Sequence, residues 1–144
     1  MKPLPHHCSV RAEARPAGAV TLGSNGLASL QSDGPAEFDG PGDLWSPETL
    51  LTAALADCFV LSFRAVARAS RFEWVRLDCT AEGTLERIER VTSFTAFTVK
   101  ARLEVPQGSD VERARKLLAK AEEVCLISNS LKGSHHLEIE VVLV

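Results

Sequence analysis

The sequence predicts an α+β domain, and three features carry that expectation. Two long stretches, Val75 to Leu85 and Thr95 to Val105, alternate apolar and polar residues with a period of two. Two others read as helices: Pro47 to about Ser70 is apolar on nearly every side from Leu50 to Phe63, and Ser109 to Cys125 repeats its apolar residues at three and four positions. An N-terminal quarter rich in turn residues reads as short strands. The resulting order is βββ-α-ββ-α-β, with antiparallel sheets packed around two long helices.

Taken in order, residues 8 to 14, 18 to 23 and 26 to 31 are the expected first strands, separated by Pro16, Gly18, Gly23 and the turn signal Ser24-Asn25-Gly26. Asp33 to Trp45 has no periodic face and reads as a loop. A helix then starts sharply. Ser46 suits the cap, Pro47 the first helical position, and Glu48 the positive end of the helix dipole. From Leu50 to Phe63 this helix is apolar on nearly every side, so neighbours must bury it, whereas Arg64, Arg68 and Arg71 form a solvated row near its end. In the next strand Val75, Leu77, Cys79, Ala81 and Leu85 point one way. In the one after it Thr95, Phe97, Val99, Ala101, Leu103 and Val105 do so, and the two are expected to pair as a hairpin around Glu89. Ser109 is the expected cap of a second helix with Val111, Ala114, Leu118, Ala121 and Cys125 on its buried stripe. The chain turns at Asn129, Gly133 and Ser134, and Leu137 to Val144 forms a last strand.

The 144 residues suit one compact domain spanning 1–144, with neither an internal repeat nor a linker. A net charge of −3 without a Lys/Arg tract argues against nucleic acid and anionic membranes as partners. The longest apolar run is interrupted by Thr52, Asp57 and Ser62 and is too short for a bilayer, which needs about 20 apolar residues; it is expected to be a core helix. Met1 to Cys8 lacks the pattern of an export signal, and four cysteines in a chain with an adequate core do not read as a secreted disulfide scaffold. The expected location is the cytoplasm, where any disulfide is transient.

Chemistry is sought first in the cysteines. Free cysteine usually packs as a small hydrophobe, and Cys79, facing the same side as Leu77, reads that way. Cys58, amid Ala54, Leu55, Phe59 and Leu61, and Cys125, closing an amphipathic helix, also fit core positions. A buried thiol reacts only if something offsets the desolvation that raises its pKa, and an arginine, charged even when buried, is the natural candidate. The pairs His6-His7 and His135-His136 do not make a metal site, because adjacent histidines on a strand point to opposite faces. No metal or other cofactor is expected.

Three segments resemble a known family. Pro35-Ala36-Glu37-Phe38-Asp39-Gly40-Pro41-Gly42, then Trp45-Ser46-Pro47-Glu48-Thr49-Leu50-Leu51 and Ala53-Ala54-Leu55-Ala56-Asp57-Cys58, are similar to the OsmC/Ohr superfamily, the osmotically inducible and organic hydroperoxide resistance proteins. Cys125-Leu126-Ile127-Ser128-Asn129-Ser130 matches its second block, and Leu126, where proline is common, leans toward the OsmC-like branch. The resemblance implies an OsmC-like fold, an intertwined homodimer with sites at the interface, and a cysteine-based peroxidase for organic hydroperoxides. Cys58 would become a sulfenic acid and Cys125 would condense with it to a disulfide. A dithiol, such as a lipoylated protein, would reset the pair. Glu48 falls at the catalytic-acid position, orienting an arginine that stabilises the Cys58 thiolate; Arg15 is the nearest candidate and Arg11 a lesser one. Ten residues of continuous helix between Glu48 and Cys58 span about 15 Å, so Glu48 is expected to serve Cys58 of the partner subunit. Two rival readings are a stress-associated binding protein for a small apolar ligand, with cysteines that only pack, and a redox sensor that oxidises without turnover.

Overall fold

The computed structural model describes all residues, 1–144. The chain divides into two compact units, Met1–Leu51 and Thr52–Val144.

In the first unit, β1 (Arg11–Glu13), β2 (Val20–Gly23) and β3 (Leu30–Ser32) form an antiparallel meander in the order β1-β2-β3. The expected turn is present: the Leu27 N–H donates to the Ser24 carbonyl at 3.0 Å. The third strand begins at Leu30, four residues later than the sequence suggests, because the turn and the residues after it take up the start of the expected strand. The loop that follows holds one short 3-10 turn, Ala36–Phe38, and returns to β3, where Asp33 N donates to the Trp45 carbonyl at 2.9 Å.

Helix α1 (Pro47–Ala69) begins where Ser46 and Thr49 cap each other. Thr49 N–H donates to Ser46 Oγ at 3.2 Å, and Ser46 N–H donates to Thr49 Oγ1 at 2.8 Å, so two amides without helical partners are satisfied reciprocally. By length and composition α1 could cross a bilayer. Its Leu55, Phe59, Phe63 and Ala67, at intervals of four, are fully buried, but its other flanks are largely half-buried and Leu61 is exposed, so neighbours cover one stripe rather than every side as expected. The Arg64, Arg68 and Arg71 row is exposed as expected.

In the second unit, β4 (Arg76–Ile88) and β5 (Val91–Val105) pair as the expected hairpin, closed by Glu89 and Arg90 at φ 51° and 70°. Two consecutive positive φ values match the twist of the flanking strands. On β5, Phe97, Val99, Ala101, Leu103 and Val105 are buried, and Leu77, Cys79 and Ala81 of β4 lie opposite Leu103, Ala101 and Val99. Two expected members of the β4 face are not on it. Val75 precedes the strand and is exposed, while Leu85 follows a register shift at Thr84/Leu85 and is also exposed.

Helix α2 (Val111–Val124) is capped by Asp110, whose carboxylate accepts from Arg113 N–H at 3.0 Å. The expected cap, Ser109, instead donates its hydroxyl to the Pro106 carbonyl at 2.6 Å. Either residue type suits a cap, and the one whose backbone leaves the helix last takes the role. Ala114, Leu118, Ala121 and Cys125 form the buried stripe. After Cys125 the chain makes α3 (Leu126–Ser130), a single short helix where only a turn was expected, and enters β6 (Ser134–Leu143) three residues early. Strand β6 runs parallel to β5, so this sheet, ordered β4-β5-β6, is mixed rather than wholly antiparallel. A parallel neighbour needs a crossover, and α2 with α3 supplies it.

Gly133 makes the entry to β6 possible. It sits at φ 94°, and a Cβ there would lie 2.5 Å from the Thr95 carbonyl oxygen, whereas Gly108, at φ 84°, faces open space. Gly108→Ala is expected to cost about 1 to 2 kcal/mol for its backbone conformation alone. Gly133→Ala is expected to cost clearly more, and urea unfolding of both variants checks the order.

Candidate active site

Helix α1 carries Cys58 on the half-buried flank of its Leu55–Phe59–Phe63 stripe, and its thiol lies 3.9 Å from Ser62 Oγ, one turn on. Cys125 is the residue at which α2 stops and α3 starts. Its φ of −65° and ψ of 110° break the helix, so its side chain is held at a corner rather than along a cylinder, and it is fully buried. Cys58 is close enough to Cys125 to act on its charge. All four cysteines are reduced.

Burial, first, pushes the Cys125 thiol up to about 11, and the neighbouring Cys58 pushes in the same direction. The backbone N–H groups of Ser128 and Ile127 act against that rise, although Cys125 makes no side-chain cap hydrogen bond to them. The corner therefore supplies some stabilisation for negative charge on Cys125. Cys79, on the same core face of the sheet, is likewise raised to about 11, by burial first and then by Asp78, Glu122 and Cys125.

Glu48 and Arg15 belong to the first unit. Glu48 stands in the first turn of α1, half-buried, and lines a cavity of about 550 Å³ with Ala12, Leu22, Phe38, Pro47 and Leu50. Arg15 is exposed in the segment after β1, and Arg11 is engaged with Glu13 at 3.2 Å on the same strand. The structure places Cys58 and Cys125 in the same unit, near enough for one to act on the charge of the other. The arginine assigned to Cys58 is at the surface of its own unit. Ser62 and the polar residues near Cys125, namely Glu122, Ser128 and His135, were given no role by sequence reasoning, which met Ser128 only within a family block and His135 only as a rejected metal ligand. Ser62 was legible as the residue one helical turn from Cys58; the others come from three separate elements.

Residues 40–140 match the family model described as OsmC-like protein. An uncharacterized protein, YmaD, of Bacillus subtilis is 29% identical over 109 residues, covering 74% of this chain and 73% of that protein. An organic hydroperoxide resistance protein of Xanthomonas axonopodis pv. citri is 31% identical over 104 residues, 69% of each chain. Among solved structures, an organic hydroperoxide resistance protein OsmC from Legionella pneumophila superposes with a TM-score of 0.77 at 27% identity, covering 98% of this chain and 100% of the other.

The two raised thiols make a prediction about stability. Each favours its protonated form in the folded protein, so its contribution is complete below the unfolded value of 9.0 and is lost as pH rises from there through about 11. The melting temperature is expected to stay level to about pH 8.5 and fall beyond pH 9. Cys79→Val, which keeps an apolar side chain of similar size, is expected to flatten that fall in melts followed by circular dichroism.

Proposed function

The chain belongs to the OsmC-like protein family, and we propose that within it this protein is a thiol-dependent peroxidase that reduces organic hydroperoxides in defence against oxidants. The observation that carries this reading is that Cys58, half-buried on α1, acts on the charge of the fully buried Cys125, far from it in sequence. A pair of thiols placed only for packing has no need to be neighbours.

In the proposed cycle the Cys58 thiolate attacks the terminal oxygen of the hydroperoxide. A sulfur–oxygen bond forms, the O–O bond breaks, and the alkoxide leaves and takes a proton to become the alcohol. Cys125 then attacks the sulfenic sulfur; the disulfide forms and the oxygen departs as water. An external dithiol, a lipoylated protein or a small molecule of that class, returns both thiols by exchange and is itself oxidised to a disulfide. The half-exposed position of Cys58 and the complete burial of Cys125 suit this order, with substrate meeting Cys58 first.

Arg15, oriented by Glu48 of the partner subunit, is proposed to keep Cys58 ionised, which makes the working unit a homodimer. The apolar side of α1 supports this, because Leu61 is 50% exposed and Val60 is only half-buried. The location proposed is the cytoplasm, whose reducing conditions suit a disulfide that forms and is reset in each cycle. The apolar cavity beside Glu48 favours one rival, a binding protein for a small apolar ligand.

Thiol titration before and after one equivalent of an alkyl hydroperoxide separates the two. The peroxidase loses two thiols per chain and the binding protein loses none. Cys58→Ser is expected to abolish turnover, and Cys125→Ser to permit a single oxidation to a trappable sulfenic acid without dithiol-driven recycling. Turnover by Cys58→Ser would overturn the reading.

A further inference from the structure

Three polar side chains from three elements are tied together around the corner that holds Cys125. Ser128 of α3 donates its hydroxyl to Glu122 Oε1 in the last turn of α2. His135 of β6 brings Nδ1 to 3.1 Å from the same hydroxyl oxygen and Nε2 to 3.2 Å from the Leu131 carbonyl at the end of α3. The imidazole is stacked on Phe97 of β5, with ring centres 5.4 Å apart and planes at 22°, so its orientation is fixed. Ser128 is 7% exposed, and Glu122 Oε2 is buried without a hydrogen-bond partner.

Counting protons shows what this arrangement requires. The Leu131 carbonyl can only accept, so Nε2 carries a hydrogen. Ser128 has a single proton and directs it to the Glu122 carboxylate, so the contact at Nδ1 is satisfied only if Nδ1 also carries a hydrogen and donates to Ser128. Every contact is equally satisfied in the mirror arrangement, with a protonated Glu122 donating to Ser128, Ser128 donating to Nδ1, and only Nε2–H on the ring. Both arrangements hold one proton beyond a carboxylate and a neutral imidazole. Without it, Glu122 and Nδ1 are two acceptors competing for one hydroxyl proton in a buried site, and one of them goes unpaired.

We propose that Glu122, Ser128 and His135 are positioning residues, a clamp closed by one shared proton that fixes the corner between α2 and α3 and so holds Cys125 in place for disulfide formation with Cys58. The proposal rests on Cys125 being the resolving thiol. When Cys125 attacks the sulfenic acid, the S–S bond forms, the S–O bond breaks, and the hydroxide leaves as water with the thiol's proton. The direction of that attack depends on the corner that holds Cys125, and the short helix after it is fixed at both ends. Ser128 ties it to α2 and β6, and the Leu131 carbonyl ties its end to the same histidine.

The test separates oxidation from resolution. Ser128→Ala removes both contacts at the hydroxyl, and His135→Phe keeps the stack on Phe97 while removing both ring hydrogen bonds. In each, sulfenic acid formation at Cys58, followed in a Cys125→Ser background, is expected within about twofold of the parent, while conversion of sulfenic acid to disulfide slows about tenfold or more. A sulfenic acid trap then captures most of the protein. Glu122→Ala is expected to behave like Ser128→Ala. Glu122→Gln, whose amide can donate to Ser128 as the protonated acid does, is expected to recover most of the rate. Parental resolution rates in Ser128→Ala and His135→Phe, or a Glu122→Gln as slow as Glu122→Ala, would overturn the clamp. The same variants are also oxidised with diamide, which forms the Cys58–Cys125 disulfide without a peroxide. If the parent fails with hydroperoxide yet the variants slow diamide cross-linking, the clamp stands and the peroxidase reading falls; equal cross-linking rates sink the clamp.

Discussion

Cys125 has no surface in contact with solvent and stands at the residue where one helix gives way to another, so its sulfur must find every partner it has inside the protein. Desolvation makes its thiolate costly, and what compensates comes from the backbone of the corner itself. The rest of the second unit is arranged around that requirement. Strand β5 gives Phe97, Val99, Ala101, Leu103 and Val105 to the core, α2 lays Ala114, Leu118 and Ala121 in it, and α1 contributes Leu55, Phe59 and Phe63. Phe63 meets Trp74 edge to face at 5.3 Å, which fixes the path of the chain as it leaves α1 for β4. Arg113 anchors the start of α2 to the same region, 5.5 Å above the Phe72 ring and hydrogen-bonded to the Ser70 carbonyl.

Periodicity made the long elements legible from sequence alone. In α1 the capping residues and the apolar run agreed, and the alternation of β4 and β5 named the buried face of β5 residue by residue. Short and non-local features were less accessible. Five residues of α3 complete barely more than one turn, too few for a period to show. Ser109 and Asp110 both suit a helix cap, and only the backbone decides between them. The parallel direction of β6 follows from a crossover whose path lies in three dimensions. Val75 had the right parity for the core face but lies before the pairing begins.

The candidate site divides along the same line. Cys58 and Cys125 were named from residue blocks similar to a family, since nothing in either helix alone separates a working thiol from a packed one. The Glu122, Ser128 and His135 group illustrates the opposite case. Strand parity turns His135 inward and His136 outward, but nothing in the linear chain joins an acid at the end of one helix to a serine in the next and a histidine on a strand. Such groups become visible only when donors and acceptors are counted in space.

Helix α1 has one further consequence. Its inner stripe is fully buried, yet Leu61 keeps half of its surface in water. In the proposed homodimer part of the free energy that seats this helix would come only with the second copy, so that association would be linked to folding by mass action. Resistance to heat would then depend on how much protein is present, and dilution alone would loosen the element that carries Cys58.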